Sequence, residues 1–322
     1  MSQQIQWLET PTRAQLAYRC YQIHKNPRAV VLVCHSLTEH SGHYEAFGRY
    51  LAEAEIAVYV PDYRSHGQTK APDNPPGYFS VKKGAKAIID DILALRAIID
   101  ISYEGIPVIL FGHSFGNIIA LATLQTSPGH FSGLALWNTD ISSCKYTTHF
   151  MRFMLNFEKM FKGSDVSSHF MRQVTSKLFY RNQEIWKHFL YDASSDQQVI
   201  DNKFQYENKE YSISISMWLD IISMLRDINN ESAFNAIPRK TAFCLLGGGN
   251  PVPFQEDMSL LYHLANRLYK ENFSRVTVMT FPSIFQEEPF INNPPEPIQE
   301  FRKWISNIIP KSLPLLSYNP EH

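Results

Sequence analysis

A chain that sets a short apolar run, a serine between two glycines and a helical pattern in direct succession has few ways to fold. Residues 107–111 read Pro-Val-Ile-Leu-Phe, a β-prone run, and residues 117–124 read Asn-Ile-Ile-Ala-Leu-Ala-Thr-Leu, a helical one. Between them stands Gly112-His113-Ser114-Phe115-Gly116, which fits G-x-S-x-G. In that pattern a serine sits on a strained strand-to-helix turn and its hydroxyl stands clear of the sheet. The glycines are expected where strand and helix backbones approach too closely for a Cβ atom. G-x-S-x-G also occurs by chance in surface loops, so the flanking strand and helix carry the weight of the reading.

The rest of the chain is arranged to match. An apolar and polar alternation over residues 4–24, broken at Thr10-Pro-Thr-Arg-Ala14, predicts an opening two-stranded hairpin. Continuous apolar runs at Ala29–Cys34, Ile56–Val60 and Gly133–Trp137 predict strands covered on both faces. Helical spacing at about 44–53 and 84–100 fills the intervals. Strand and helix alternate as in a parallel sheet with helices on both sides, an α/β fold. Between about 142 and 236 the alternation stops. Helical stretches at 148–160, 168–177 and 214–224 predict a helical cap insertion, because the sheet pattern resumes with strands at 241–246 and 275–281 and helices at about 256–270 and 296–308. The expected organisation is a core of residues 1–141 and 237–309, a cap of 142–236 and a loosely held tail of 310–322.

Composition narrows the partners. The 322 residues carry 30 Lys and Arg against 31 Asp and Glu, a balance that offers nothing to nucleic acid or to an anionic surface. Cys20, Cys34, Cys144 and Cys244 have no metal-type spacing and read as free thiols of a reducing, cytoplasmic compartment. The N-terminus lacks the features of a signal peptide, and no window approaches the roughly eighteen apolar residues of a membrane span. Gly247-Gly248-Gly249 lacks the lysine and hydroxyl of a phosphate loop, and His40 with His43 has no evident third metal ligand, so no cofactor is expected.

Three segments make the chain similar to a known family. Residues 35–44, His-Ser-Leu-Thr-Glu-His-Ser-Gly-His-Tyr, resemble an HG-x-G-E-H-S-x-R/H-Y segment. Residues 62–68 resemble D-x-R-G-H-G-x, and residues 112–116 are the turn described above. Together they resemble the α/β-hydrolase fold, and within it the lysophospholipases and monoacylglycerol lipases, over about residues 5–309. The resemblance implies a serine hydrolase acting on carboxylic esters, often of single-chain lipids. It implies Ser114 as nucleophile and the backbone N–H groups of Leu37 and Phe115 as oxyanion donors. It also implies a small acyl-ester or lipid-like ligand, with peripheral membrane contact open.

Two positions depart from the family. Where it reads G-x-x-D-P-V this chain has Asn250 in place of the acid, and where it reads Y-P-G-x-x-H-E this chain has Gln286 in place of the base. Asparagine brings no charge to stabilise an imidazolium, a loss of about four orders of magnitude in turnover. Glutamine has no basic nitrogen to take the serine proton, and removal of the base costs on the order of a millionfold. Ser36 and Thr38 also replace glycines in the oxyanion loop. Asp140 offers a substitute acid, though a loop or capping aspartate fits equally. His149, His169, His188 and His263 read as surface or packing residues, and His35, His40, His43, His66 and His113 as supports. The expectation is weak or absent triad activity, with a non-catalytic binder of an acyl ligand or protein partner as the alternative. The aromatic and methionine positions from Phe150 to Phe161 fit a helix packing face and an acyl-chain site alike.

Overall fold

The structure, a computed structural model, describes residues 4–37, 39–75, 77–137, 145–171, 213–248, 256–281 and 296–309. Its strands are β1 (Gln6–Glu9), β2 (Gln15–Tyr21), β3 (Ala29–Cys34), β4 (Ile56–Pro61), β5 (Val108–His113), β6 (Gly133–Trp137), β7 (Ala242–Gly248) and β8 (Val276–Phe281). They form one sheet in the order β1-β2-β4-β3-β5-β6-β7-β8. The opening hairpin β1–β2 and its junction with β4 are antiparallel, and every other pairing is parallel.

The two buried faces follow from the period of two along each strand. Val30, Leu32 and Cys34 enter one core cluster, and Val31 and Val33 enter the other. Helices α2 (Gly84–Ser102), α3 (Gly116–Thr126), α5 (Ile215–Ile228) and α6 (Glu256–Lys270) contribute to the first cluster. Helices α1 (Glu45–Ala52) and α7 (Glu296–Ile308) cover the second, where Phe301 lies against Phe47 and Phe111 with ring centroids 6.1 and 5.2 Å away. A strand buried on both faces must be apolar at every position, which is why these runs were legible. Helix α4 (Lys145–Lys162) packs on α5 through Leu155 and Ile222.

The elements lie close to the expected ones. Strand β5 runs two residues beyond Phe111, because Gly112 and His113 still pair with Leu136 and Trp137 of β6. Cys20, Cys34 and Cys244 are free and buried. The predicted helix over 168–177 lies outside the described residues beyond Met171, as do Thr38, Cys144 and the tail from 310. Among the described residues no helix is long and apolar enough to cross a membrane.

Candidate functional site

The turn after β5 carries the strain that its sequence predicts. Ser114 has φ of 52°, the left-handed region that costs a non-glycine residue roughly 1–2 kcal/mol. Its amide donates to the Trp137 carbonyl at 3.0 Å, and its own carbonyl accepts the Asn117 amide at 3.0 Å. The Asn117 side chain adds a 2.8 Å bond to the same Trp137 carbonyl. Ser114 is thereby exposed between buried His113 and buried Gly116. A Cβ on Gly112 would stand 2.7 Å from the Asn117 Cα, and one on Gly116 only 2.0 Å from the Cys34 carbonyl oxygen. Those are backbone collisions, so the glycines at both positions are steric requirements.

The contact at Gly116 also fixes where the loop after β3 begins. His35 is fully buried, its ring stacked on Tyr63 with centroids 3.8 Å apart. Its Nδ1 lies 2.7 Å from the Ser36 carbonyl, and its Nε2 accepts the Tyr63 amide at 3.3 Å. Those partners require the neutral tautomer with the proton on Nδ1. Burial, with His66 nearby, holds this imidazole well below the ordinary histidine range. The Ser36 carbonyl also accepts the Glu39 amide at 3.2 Å. Because C=O and N–H of one trans peptide point in opposite directions, fixing the Ser36 carbonyl aims the Leu37 N–H. On the next peptide, the Leu37 carbonyl is held 2.7 Å from Nε2 of His66. Among the described residues, neither the Leu37 nor the Phe115 amide donates a hydrogen bond. Phe115 heads α3, where free N–H groups and the helix dipole favour a negative charge.

Behind the loop lies a polar layer that no spacing rule exposes. Glu39 accepts the Ser36 amide at 2.8 Å and the Tyr44 hydroxyl at 2.6 Å. Its carboxylate stands 3.3 Å from Nδ1 of His113, the residue before Ser114. Burial pushes the Glu39 carboxyl up, but the His113 charge and the hydrogen bonds from His113, Tyr44 and Ser36 outweigh it and hold the group well below the usual carboxylate range. His113 thus has the supporting role expected of it. Asp62 ties the neighbouring segment, accepting Ser41 and Gln68 amides at 2.7 and 2.9 Å.

The remaining sequence-predicted positions divide in two. Asn250, Gln286, Asp140 and His188 lie outside the described residues. His149, His169 and His263 are exposed, on α4, just after it and on α6. The Ser114 hydroxyl makes no hydrogen bond among the described residues, to an imidazole or to anything else. The arrangement therefore offers an exposed hydroxyl on a strained turn, with the Phe115 amide next in the chain, and neither this amide nor that of Leu37 is engaged among the described residues. Among the described residues no three His, Cys, Asp or Glu side chains gather as metal ligands.

The chain is similar to known proteins in sequence and in structure. In sequence, the chain is 36% identical to human monoglyceride lipase over 110 residues, 34% of each chain. It is 27% identical over 122 residues to the monoacylglycerol lipase of Mycolicibacterium smegmatis, 38% of this chain and 41% of that one. The matches thus span about a third to two fifths of these relatives. In structure, a carboxyl esterase from Bacillus coagulans superposes with a TM-score of 0.72 at 20% identity, over 96% of this chain and 100% of the other. A soluble variant of monoglyceride lipase from Saccharomyces cerevisiae superposes at 0.65 with 12% identity, over 97% of each. These likenesses establish the α/β-hydrolase fold. The Hydrolase_4 model, described as serine aminopeptidase, S33, matches residues 25–277, and the chain belongs to that family.

Proposed function

We propose that this protein binds carboxylic esters of single-chain lipids at Ser114 and cleaves them slowly or not at all. The observation that carries this reading is the exposed Ser114 at φ of 52°, together with Leu37 and Phe115 amides that donate no hydrogen bond among the described residues. A substrate carbonyl over Ser114 Oγ would place its oxygen between those amides, which stabilise the tetrahedral oxyanion formed when the hydroxyl attacks. Attack also requires that the hydroxyl proton go to a base. With glutamine at position 286 and asparagine at 250, neither family position supplies one. Serine chemistry of this type draws on no cofactor.

Residues 142–236 act in this reading as the helical cap over the serine. Along α4, Phe150, Phe153, Phe157, Met160 and Phe161 are exposed on one face. Such a face suits acyl chains and the surface of the lipid phase from which they come. A second reading, a non-catalytic binder of an acyl ligand or a protein partner, is favoured by the Ser114 hydroxyl having no imidazole bonded to it among the described residues.

The two are separated by a series of p-nitrophenyl esters from acetate to palmitate, with and without Asn250→Asp plus Gln286→His. Faint turnover that is lost in Ser114→Ala, and that rises at least a thousandfold for medium or long chains on restoration, supports the first. Competition of a fluorescent fatty acid by the esters, with no hydrolysis before or after restoration, supports the second.

A further inference from the structure

We propose that Glu39 and His113 are positioning residues that clamp the two oxyanion-donor segments at one fixed separation. The inference rests on the reading of Ser114 as the acyl-handling serine. One donor, Leu37, rides on the loop 35–39, and the other, Phe115, on the turn 113–116. At one point they touch by backbone, Gly116 against the Cys34 and His35 carbonyls. At another they are joined by side chains, the Glu39 carboxylate 3.3 Å from Nδ1 of His113.

The pair holds each donor through its own backbone. Glu39 accepts the Ser36 amide at 2.8 Å, one residue before Leu37, while the Glu39 amide donates to the Ser36 carbonyl at 3.2 Å. Its side chain and main chain therefore grip the peptides on either side of Ser36, including the one whose N–H is that of Leu37. His113 is two residues before Phe115 and is locked in β5 against Trp137. Tyr44 closes the triangle: its hydroxyl donates to Glu39 at 2.6 Å and lies 3.2 Å from Nδ1 of His113. His113 is 2% exposed and the Glu39 side chain 16%. A buried pair of this kind adds little net stability over an apolar substitute, but it does specify one geometry. For two amides that must converge on one oxygen atom, geometry is the quantity that matters, since donors must lie within about 2.7–3.1 Å of the oxyanion. The held-down Glu39 carboxyl keeps its own charge over the working range.

The test has two arms. In the first, the otherwise unaltered protein is labelled with [15N]leucine and [15N]phenylalanine and compared with Glu39→Gln. The clamp requires that the Phe115 amide resonance move along with that of Leu37, although Glu39 makes no bond to the turn beyond His113. A change confined to Leu37 overturns it. Tyr44→Phe, which removes the hydroxyl's contacts to Glu39 and His113 but leaves both of those side chains in place, is the milder variant should Glu39→Gln fail to fold, and a smaller displacement of both resonances in the same direction is expected.

In the second arm, Glu39→Gln is placed in the Asn250→Asp, Gln286→His background and reacted with a fluorophosphonate. The limiting rate of labelling is expected to fall roughly tenfold to a hundredfold, short of the 10²–10³ that follows removal of a donor. The probe concentration at half-maximal rate should stay within twofold. An unchanged limiting rate overturns the clamp. If the restored parent itself does not react, the Ser114 reading fails, and the resonance arm still decides the clamp.

Discussion

Replacing Gly116 by alanine tests the geometry on which everything at Ser114 depends. The added Cβ would lie 2.0 Å from the Cys34 carbonyl oxygen, 2.6 Å from its carbon and 2.7 Å from the His35 carbonyl oxygen. None of these is the tip of a flexible side chain, so α3 and the end of β3 must separate by about 1 Å in a close-packed seam. Overpacking of this kind costs roughly 1–3 kcal/mol and occasionally more. Rigid backbone on the receiving side puts Gly116→Ala at the upper end. Alanine's advantage over glycine in a helix, about 1 kcal/mol in the interior and less in the first turn, offsets part of it. The expected net loss is about 2–4 kcal/mol. Gly129→Ala is the control, because nothing lies within 4 Å of its Cβ position, and it should stay within about 0.5 kcal/mol of the parent. Urea unfolding followed by tryptophan fluorescence measures both, read from midpoints at constant slope. A Gly116→Ala protein as stable as Gly129→Ala would refute the close approach.

Other expectations follow from buried charge and exposed apolar surface. Arg64 is fully buried and bonds Asp91 at 2.6 Å, Asp73 at 2.7 Å and the Thr12 hydroxyl at 2.6 Å. Arg64→Met leaves Asp91 buried without its cation and should cost about 3–5 kcal/mol in the same urea assay. Asp220 of α5 accepts the Ala85 amide at the start of α2, and burial pushes its carboxyl up from 3.8 to about 6. Its contribution is intact below about pH 3.8 and lost as pH rises through about 6. Asp220→Asn should therefore be more stable than the parent by about 1 kcal/mol at pH 7.5, after discounting for partial exposure, and indistinguishable from it near pH 3.8, both by thermal melts. Phe157→Ser with Phe161→Ser on α4 should weaken sedimentation with phosphatidylcholine vesicles by about tenfold, a 1.4 kcal/mol loss of apolar anchoring. Unchanged sedimentation would remove α4 from the lipid contact.

How far the sequence could be read depended on whether a feature was local. Ala29–Cys34 and Gly133–Trp137 lie where continuous apolar runs placed them, and Glu256–Lys270 and Glu296–Ile308 where helical patterning did, because both signals are written into neighbouring residues. The strained serine was legible for the same reason, since glycines flank it and a strand and helix frame it. The clamp behind it was not. Glu39 and His113 are 74 residues apart, and nothing in either neighbourhood says that the two side chains meet. Arg64 with Asp91 and Thr12 is a second case, three segments joined by one guanidinium. Helix α5 was placed by its apolar spacing, but its membership in the same core cluster as α2 and α3 comes only from the fold. The substitutions at 250 and 286 were legible by register against flanking Pro251, Val252, Pro282 and Glu287, and they lie outside the described residues.

In the proposed function, a serine turn and an oxyanion site stand without the acid and base of the family. Intact-protein mass spectrometry after reaction with a fluorophosphonate tests it in one experiment, on the unaltered protein, Ser114→Ala, and Asn250→Asp with Gln286→His. Little or no adduct is expected on the unaltered protein, none on Ser114→Ala, and one adduct on the restored variant. Rapid, complete labelling of the unaltered protein at Ser114 would contradict it, because a working base would then be present that neither Asn250 nor Gln286 provides.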